Sequence, residues 1–158
     1  MILKIIQEEL EKAEYVTQLY KADEAITMDR VTCFLELEGK TNEEGQILEL
    51  MLVPDVKDEL DGFEILQYFV TFEFDFSDCP NPKLQKIRNI IEELNYSLAI
   101  GSYGIQSNDD TFVYFKYRQM ISPSNDIRKD NQVGLTASLI HFQIEQAYAI
   151  FEGILNAD

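Results

Sequence analysis

The sequence predicts an α+β domain in which an antiparallel five-stranded sheet is packed with helices in the order α-β-β-β-α-β-β-α. Three observations predict it. Segments near the start, middle and end of the chain carry apolar residues at helical spacing, and five other segments alternate apolar with polar residues. The alternating segments are joined mainly by tight turns, which connect antiparallel neighbours, whereas parallel strands need long crossovers.

Residues 2–20 place Ile2, Ile6, Leu10, Ala13, Val16 and Tyr20 at helical spacing, with Glu8, Glu9, Glu11 and Lys12 on the other side, so an amphipathic first helix is expected there. Val31, Cys33, Leu35 and Leu37 then alternate with polar residues as in a half-buried strand. The turn from Gly39 to Gly45 leads to a second strand with Leu48, Leu50 and Leu52 as its inward row, ending before Pro54. Residues 55–64 form an acidic loop. Leu66, Tyr68, Val70, Phe72, Phe74 and Phe76 give the most clearly periodic strand of the chain.

Asn81 followed by Pro82 reads as a helix N-cap with proline at the first helical position, and Leu84, Ile87, Ile91 and Leu94 supply the stripe of a second helix that stops near Asn95. Leu98–Ile105 and Thr111–Ile121 are two further strands, joined across the polar turn from Ser107 to Asp110. Residues 122–132 read as a flexible loop. From about Gly134 to Leu155, apolar residues cover more than one face of a long helix, which predicts that the helix is well buried. Neither a repeat nor a linker divides the chain, so residues 1–158 read as one domain.

Charge and cysteine usage narrow the function classes. Asp and Glu number 29 against 13 Lys and Arg, a formal net of −16, and such a field repels phosphate backbones and anionic lipid. Neither nucleic acid nor a membrane is therefore an expected partner. Cys33 and Cys79 are too few and too far apart for a disulfide scaffold, and the first dozen residues lack the pattern of a secretion signal. A cytoplasmic, mature protein is the expectation that follows.

Motifs for chemistry fail one by one. Gly39-Lys40-Thr41 echoes the end of a phosphate-binding loop, but the glycine that loop requires falls at Phe34. The acidic loop at 55–64 has the composition of a calcium loop, yet with Gly62 as its sixth position the first and twelfth ligands are Lys57 and Tyr68, so it is no EF-hand. His141 is the only histidine and has no companions at metal-ligand spacing. Cys33 points with the apolar row of a strand and Cys79 lies in a loop, neither at a helix N-terminus that activates a thiol. No catalytic residue, metal ligand or cofactor is assigned.

The positive signal is the other face of the sheet, whose outward positions are not uniformly polar as a solvated face would be. Phe34, Ile47, Met51, Phe69, Phe112, Tyr114 and Met120 fall on it, interleaved with Glu36, Glu49, Thr71, Glu73, Lys116 and Arg118. Left exposed, this is a mixed apolar patch of the kind used for protein contact; the alternative is that a helix or twisted strand covers part of it, and periodicity does not say which. The expected function is a non-catalytic protein-binding module, chaperone-like or regulatory, that meets a partner polypeptide or a second subunit through this face. A small-molecule or metal-dependent enzyme using dispersed carboxylates and a structural subunit are the alternatives.

The element order, Leu94-Asn95 at the end of the central helix, Gly101-Ser102-Tyr103, the turn Asn108-Asp109-Asp110, the run from Val113 to Arg118 and the long last helix together give a resemblance. Over Leu84 to Leu155 the chain resembles the YbjN-like bacterial sensory-transduction-regulator family, whose domain looks like a type III secretion chaperone. That resemblance implies a small acidic cytoplasmic protein that forms homodimers and binds a segment of another polypeptide without catalysis.

Overall fold

The computed structural model describes residues 2–41, 43–107, 110–123 and 126–157. Three helices, α1 (Ile2–Lys12), α2 (Asn81–Ser97) and α3 (Gln132–Asn156), accompany six strands. The strands are β1 (Thr17–Tyr20), β2 (Arg30–Leu35), β3 (Gln46–Leu52), β4 (Glu64–Thr71), β5 (Ser102–Ser107) and β6 (Thr111–Ile121). They form one open antiparallel sheet in the order β1-β2-β3-β4-β6-β5. The α+β class and the antiparallel sheet stand as expected, but the sheet has six strands rather than five and the element order is α-β-β-β-β-α-β-β-α. The central turn of the β5–β6 hairpin, Asn108 and Asp109, lies outside the described residues.

The extra strand comes from a helix that stops early. Ala13, Val16 and Tyr20 match helical spacing, yet α1 ends at Lys12. Glu14 adopts a left-handed conformation (φ 68°), its N–H donates to the Glu11 carbonyl, and the Tyr15 N–H donates to the Leu10 carbonyl at 3.1 Å. That pair of bonds is a Schellman stop, usually announced by glycine at the left-handed position. With glutamate there, the sequence carries no sign of it. Thr17–Tyr20 then pair with β2, and Val16 is left 74% exposed.

Three other boundaries also move. The apolar row beginning at Leu66 leaves the ladder after Thr71, but Phe72 and Phe76 keep the same inward direction and pack beyond the sheet edge. The Phe72 ring meets Phe151 of α3 edge-on at 5.3 Å, and Phe74 lies 4.8 Å from Tyr148. Leu98–Gly101 is connector rather than strand, since β5 starts at Ser102. Asn81 makes no side-chain cap; Pro80 occupies the cap position and the helix begins at Asn81.

All three helices lie against one face of the sheet. Val31, Cys33, Leu35, Leu48, Leu50, Leu66, Tyr68, Val70, Val113 and Phe115 point from the strands into a core closed by Ile6 and Leu10 of α1, Ile87 and Ile91 of α2, and Ala137, Ile140, Ile144, Ala147 and Phe151 of α3. Helix α3 runs between the other two. It crosses α1 at Gly134, where a Cβ would stand 3.1 Å from that of Ala13. Tyr15 reaches the His141 Nδ1 at 3.1 Å, while the His141 Nε2 donates to the Glu36 carbonyl. His141, the only histidine, thus ties α3 to the loop after α1 and to the residue following β2.

Side-chain amides close the β5 edge. Asn95, in the last turn of α2, accepts the Tyr103 N–H at 2.7 Å and donates to the Tyr103 carbonyl at 2.8 Å, standing in for a neighbouring strand. Gln143 of α3 does the same for the connector, meeting the N–H groups of Ala99 and Ile100 and the Ile100 carbonyl. An edge with its backbone groups already paired is a poor template for strand addition. Replacing Asn95 with alanine leaves both backbone groups of the buried Tyr103 unpaired and is expected to lower unfolding free energy by about 1–3 kcal/mol in urea titration. Asn95→Asp keeps the acceptor and is expected to lose less.

Candidate functional site

The helices leave the opposite sheet face without a covering layer among the described residues, which resolves the alternative left open by periodicity. Strand register sets out its side chains in rows. One row runs Gln18, Thr32, Glu49, Phe69, Lys116 and Ser102 across all six strands. The next places Met51, Gln67 and Arg118 side by side, and beyond it Ile65 pairs with Met120. Thr71, Tyr114 and Gly104 form a row on the other side of Phe69, and Phe34 pairs with Ile47.

The seven residues singled out from the sequence fall into distinct groups. Phe69, Tyr114 and Phe112 come together: Phe69 stacks on Tyr114 at 5.5 Å, and Tyr114 lies 6.1 Å from Phe112. Phe34 and Ile47 form a second group toward the β2–β3 end. Met51 and Met120 stand apart, each in a row with no aromatic residue. Ile47 and Met120 are exposed, and the other five are half-buried.

Half-burial without a covering layer has a local cause. The Tyr114 ring lies over Gly104, where an added Cβ would come within 2.4 Å of it, and the Phe34 ring lies over Gly45 in the same way at 2.2 Å. Each ring covers backbone that glycine leaves bare, an arrangement that steadies glycine in strands. The aromatic residues therefore form a flat, stacked platform on the sheet.

Charge on this face runs against the rest of the chain. The six strands contain two acids, Glu49 and Glu64, and Glu64 pairs with the buried Ile121 on the helix side. The three strand bases, Arg30, Lys116 and Arg118, all belong to the open face. Arg118 donates through Nε to Gln67 at 2.8 Å, and the Arg30 guanidinium lies 4.8 Å over the Tyr20 ring with Nε and Nη1 buried and unpaired. Glu36 and Glu73 lie just beyond strand ends and are exposed. The β4–β6–β5 part of the face thus combines aromatic surface with positive charge in a chain of net −16.

The helix side has a further exposed surface that the sequence reading missed. Helix α3 is not fully buried: Leu135, Leu139, Phe142 and Ile150 are 64, 37, 57 and 39% exposed. The signal was present as a second set of apolar positions three and four residues apart, interleaved with the core set.

Clefts elsewhere carry little acid–base chemistry. One of about 330 Å³ lies between the start of α2 and the end of α3, lined by Asp75, Asp78, Cys79, Lys83, Tyr148 and Glu152 among others. Hydrogen bonds from Ser77 hold the Asp75 carboxyl below the usual range, the wrong direction for a proton donor near neutrality. Asp23, Asp29 and Glu44 are lowered in the same way by backbone N–H groups. Lys83 donates to the Leu155 and Ala157 carbonyls, capping the C-terminal end of α3. Among the described residues, no group of three or more His, Cys, Asp and Glu side chains is placed to hold a metal ion, and no helix is long and apolar enough to cross a membrane. No family model matches the chain, and no curated protein matches its sequence.

The two thiols differ in accessibility. Burial pushes the Cys33 thiol up to about 12, so it stays protonated through the range in which thiolate chemistry is useful. With a disulfide reagent at about pH 8 the native protein is expected to release label from half-buried Cys79 well before Cys33, and to react at both at once only after unfolding. Equal native rates would contradict the packing described.

Proposed function

We propose that the chain is a non-catalytic protein-binding module that takes a segment of another polypeptide on the open sheet face, centred on Phe69 and Tyr114. The observation that carries this reading is the platform itself: stacked aromatic side chains on a sheet whose helices all lie on the other side. Aromatic rings of this kind supply much of the energy in protein contacts, because they bury large area at low entropic cost. Lys116 and Arg118 flank the platform on β6, so the segment that suits it carries apolar side chains beside carboxylates. The edge of β5 is already occupied by Asn95, which favours docking on the face over strand addition.

The resemblance to the YbjN-like family points the same way, toward a chaperone-like or regulatory binder in a cytoplasmic setting, and is part of the proposal. The downward carboxylate shifts give the enzyme alternative no support.

An array of peptides of graded charge and apolar content tests the reading. Apolar-acidic peptides are expected to bind, with affinity falling as salt rises. Lys116→Glu with Arg118→Glu is expected to weaken binding about tenfold or more, and Tyr114→Asp to abolish it, with circular dichroism unchanged. Binding that survives all three substitutions in folded protein would remove this face from consideration.

A further inference from the structure

We propose that α3 is a self-association surface, its outer stripe of Leu135, Leu139, Phe142, Gln146 and Ala149 pairing antiparallel with the same stripe of a second copy, about a two-fold axis at Phe142. This inference is independent of the sheet-face reading, because the stripe lies on the opposite side of the molecule.

The stripe has the geometry of a helix seam. Its members are spaced four, three, four and three residues apart, the heptad rhythm that keeps one line of side chains facing a partner helix. Leu135 and Phe142 are 64 and 57% exposed although α3 packs its other side into the core. A helix that is apolar around its circumference normally has both sides covered.

The absence of charge picks out this surface in a chain of net −16. The 25 residues of α3 include only two carboxylates, Glu145 and Glu152, and both are directed to the flank. Glu145 accepts the Glu38 N–H at 3.0 Å, and Glu152 pairs with Lys40 at 2.7 Å. A partner copy approaching along the stripe therefore meets no carboxylate in it, whereas most other approaches bring like charges together.

The order of side-chain sizes identifies the occupant as a second copy. Antiparallel pairing centred on Phe142 sets Leu135 against the small Ala149 of the other copy and Leu139 beside its Gln146, while the two Phe142 rings meet at the axis. Large residues at one end of the stripe thus match smaller ones at the other, which is what an isologous contact requires. Leu135, Leu139, Phe142 and Ile150 expose on the order of 400 Å² per copy, so with their neighbours two copies approach the ~1,200 Å² at the lower end of stable interfaces. Gln146 is the polar seam residue, of the kind that fixes register at some cost in stability.

Sedimentation velocity at about 1–100 µM, in about 0.15 and 0.5 M salt, tests the proposal. The wild-type chain is expected to form a reversible dimer that tightens as salt screens the net charge. Phe142→Glu and Leu135→Glu, both at exposed positions, are each expected to raise the dimer Kd at least about tenfold while leaving circular dichroism unchanged. In a Cys79→Ser background, Phe142→Cys should cross-link to itself across the axis under mild oxidation and Leu135→Cys should not. A wild-type chain monomeric throughout that range would overturn the proposal and leave the stripe to a different protein. So would a dimer unchanged by Phe142→Glu, or one lost instead in Tyr114→Asp. Cross-linking of Leu135→Cys as fast as Phe142→Cys would overturn the antiparallel two-fold.

Discussion

Seating α3 against the sheet is the constraint on which the rest of the molecule depends. Its inner side fills the core with Ala137, Ile140, Ile144, Ala147 and Phe151, and its rim fastens every neighbouring element. Tyr15 and Glu36 meet His141, the connector before β5 meets Gln143, Lys40 meets Glu152, and Lys83 caps the last turn. The small residues Gly134 and Ala137 let this long helix approach closely at one end, and the Phe72–Phe151 contact anchors the other. With α1 and α2 packed alongside, the helical layer is complete on one side of the sheet. Nothing among the described residues remains to cover the other.

That asymmetry explains why the open face is neither an ordinary solvated surface nor a second core. An alternating strand with one face in water should place polar side chains outward, and Thr32, Gln67 and Gln106 follow that rule. Phe69, Phe112 and Tyr114 do not, and their rings are kept from full exposure by stacking on one another and on the Gly104 backbone. The platform is stable without a partner because it covers backbone that would otherwise be bare. It still presents flat aromatic area to solvent, in a setting where the nearby β6 charges are positive.

Much of this was legible in the sequence, for reasons that separate cleanly from what was not. Strict alternation placed Phe69 and Tyr114 on the opposite face from Tyr68 and Phe115, because a two-residue period admits one assignment once the buried row is known. Three features were hidden. The α1 stop uses Glu14 where glycine would have been the visible sign. The end of β4 at Thr71 is set by loss of a pairing strand, since the apolar alternation itself continues to Phe76. The exposed stripe of α3 merged with its core stripe into one broadly apolar pattern, and composition alone made such a helix read as fully buried.

The sheet and its helical layer place the two candidate surfaces back to back, and that has a consequence for how they work together. If copies join through α3, each contributes its helical layer to the centre of the assembly and its sheet faces outward. The aromatic platforms then point away from the two-fold axis and stay free, so the dimer presents two equivalent sites. A partner with two suitable segments joined by enough chain to reach around the helical layers binds such a dimer with the second contact made intramolecular, gaining avidity without any new interface. A partner whose linker is too short gains nothing, because the segments must reach opposite sides of the particle. Linker length, rather than segment affinity, then becomes the property that separates good partners from poor ones.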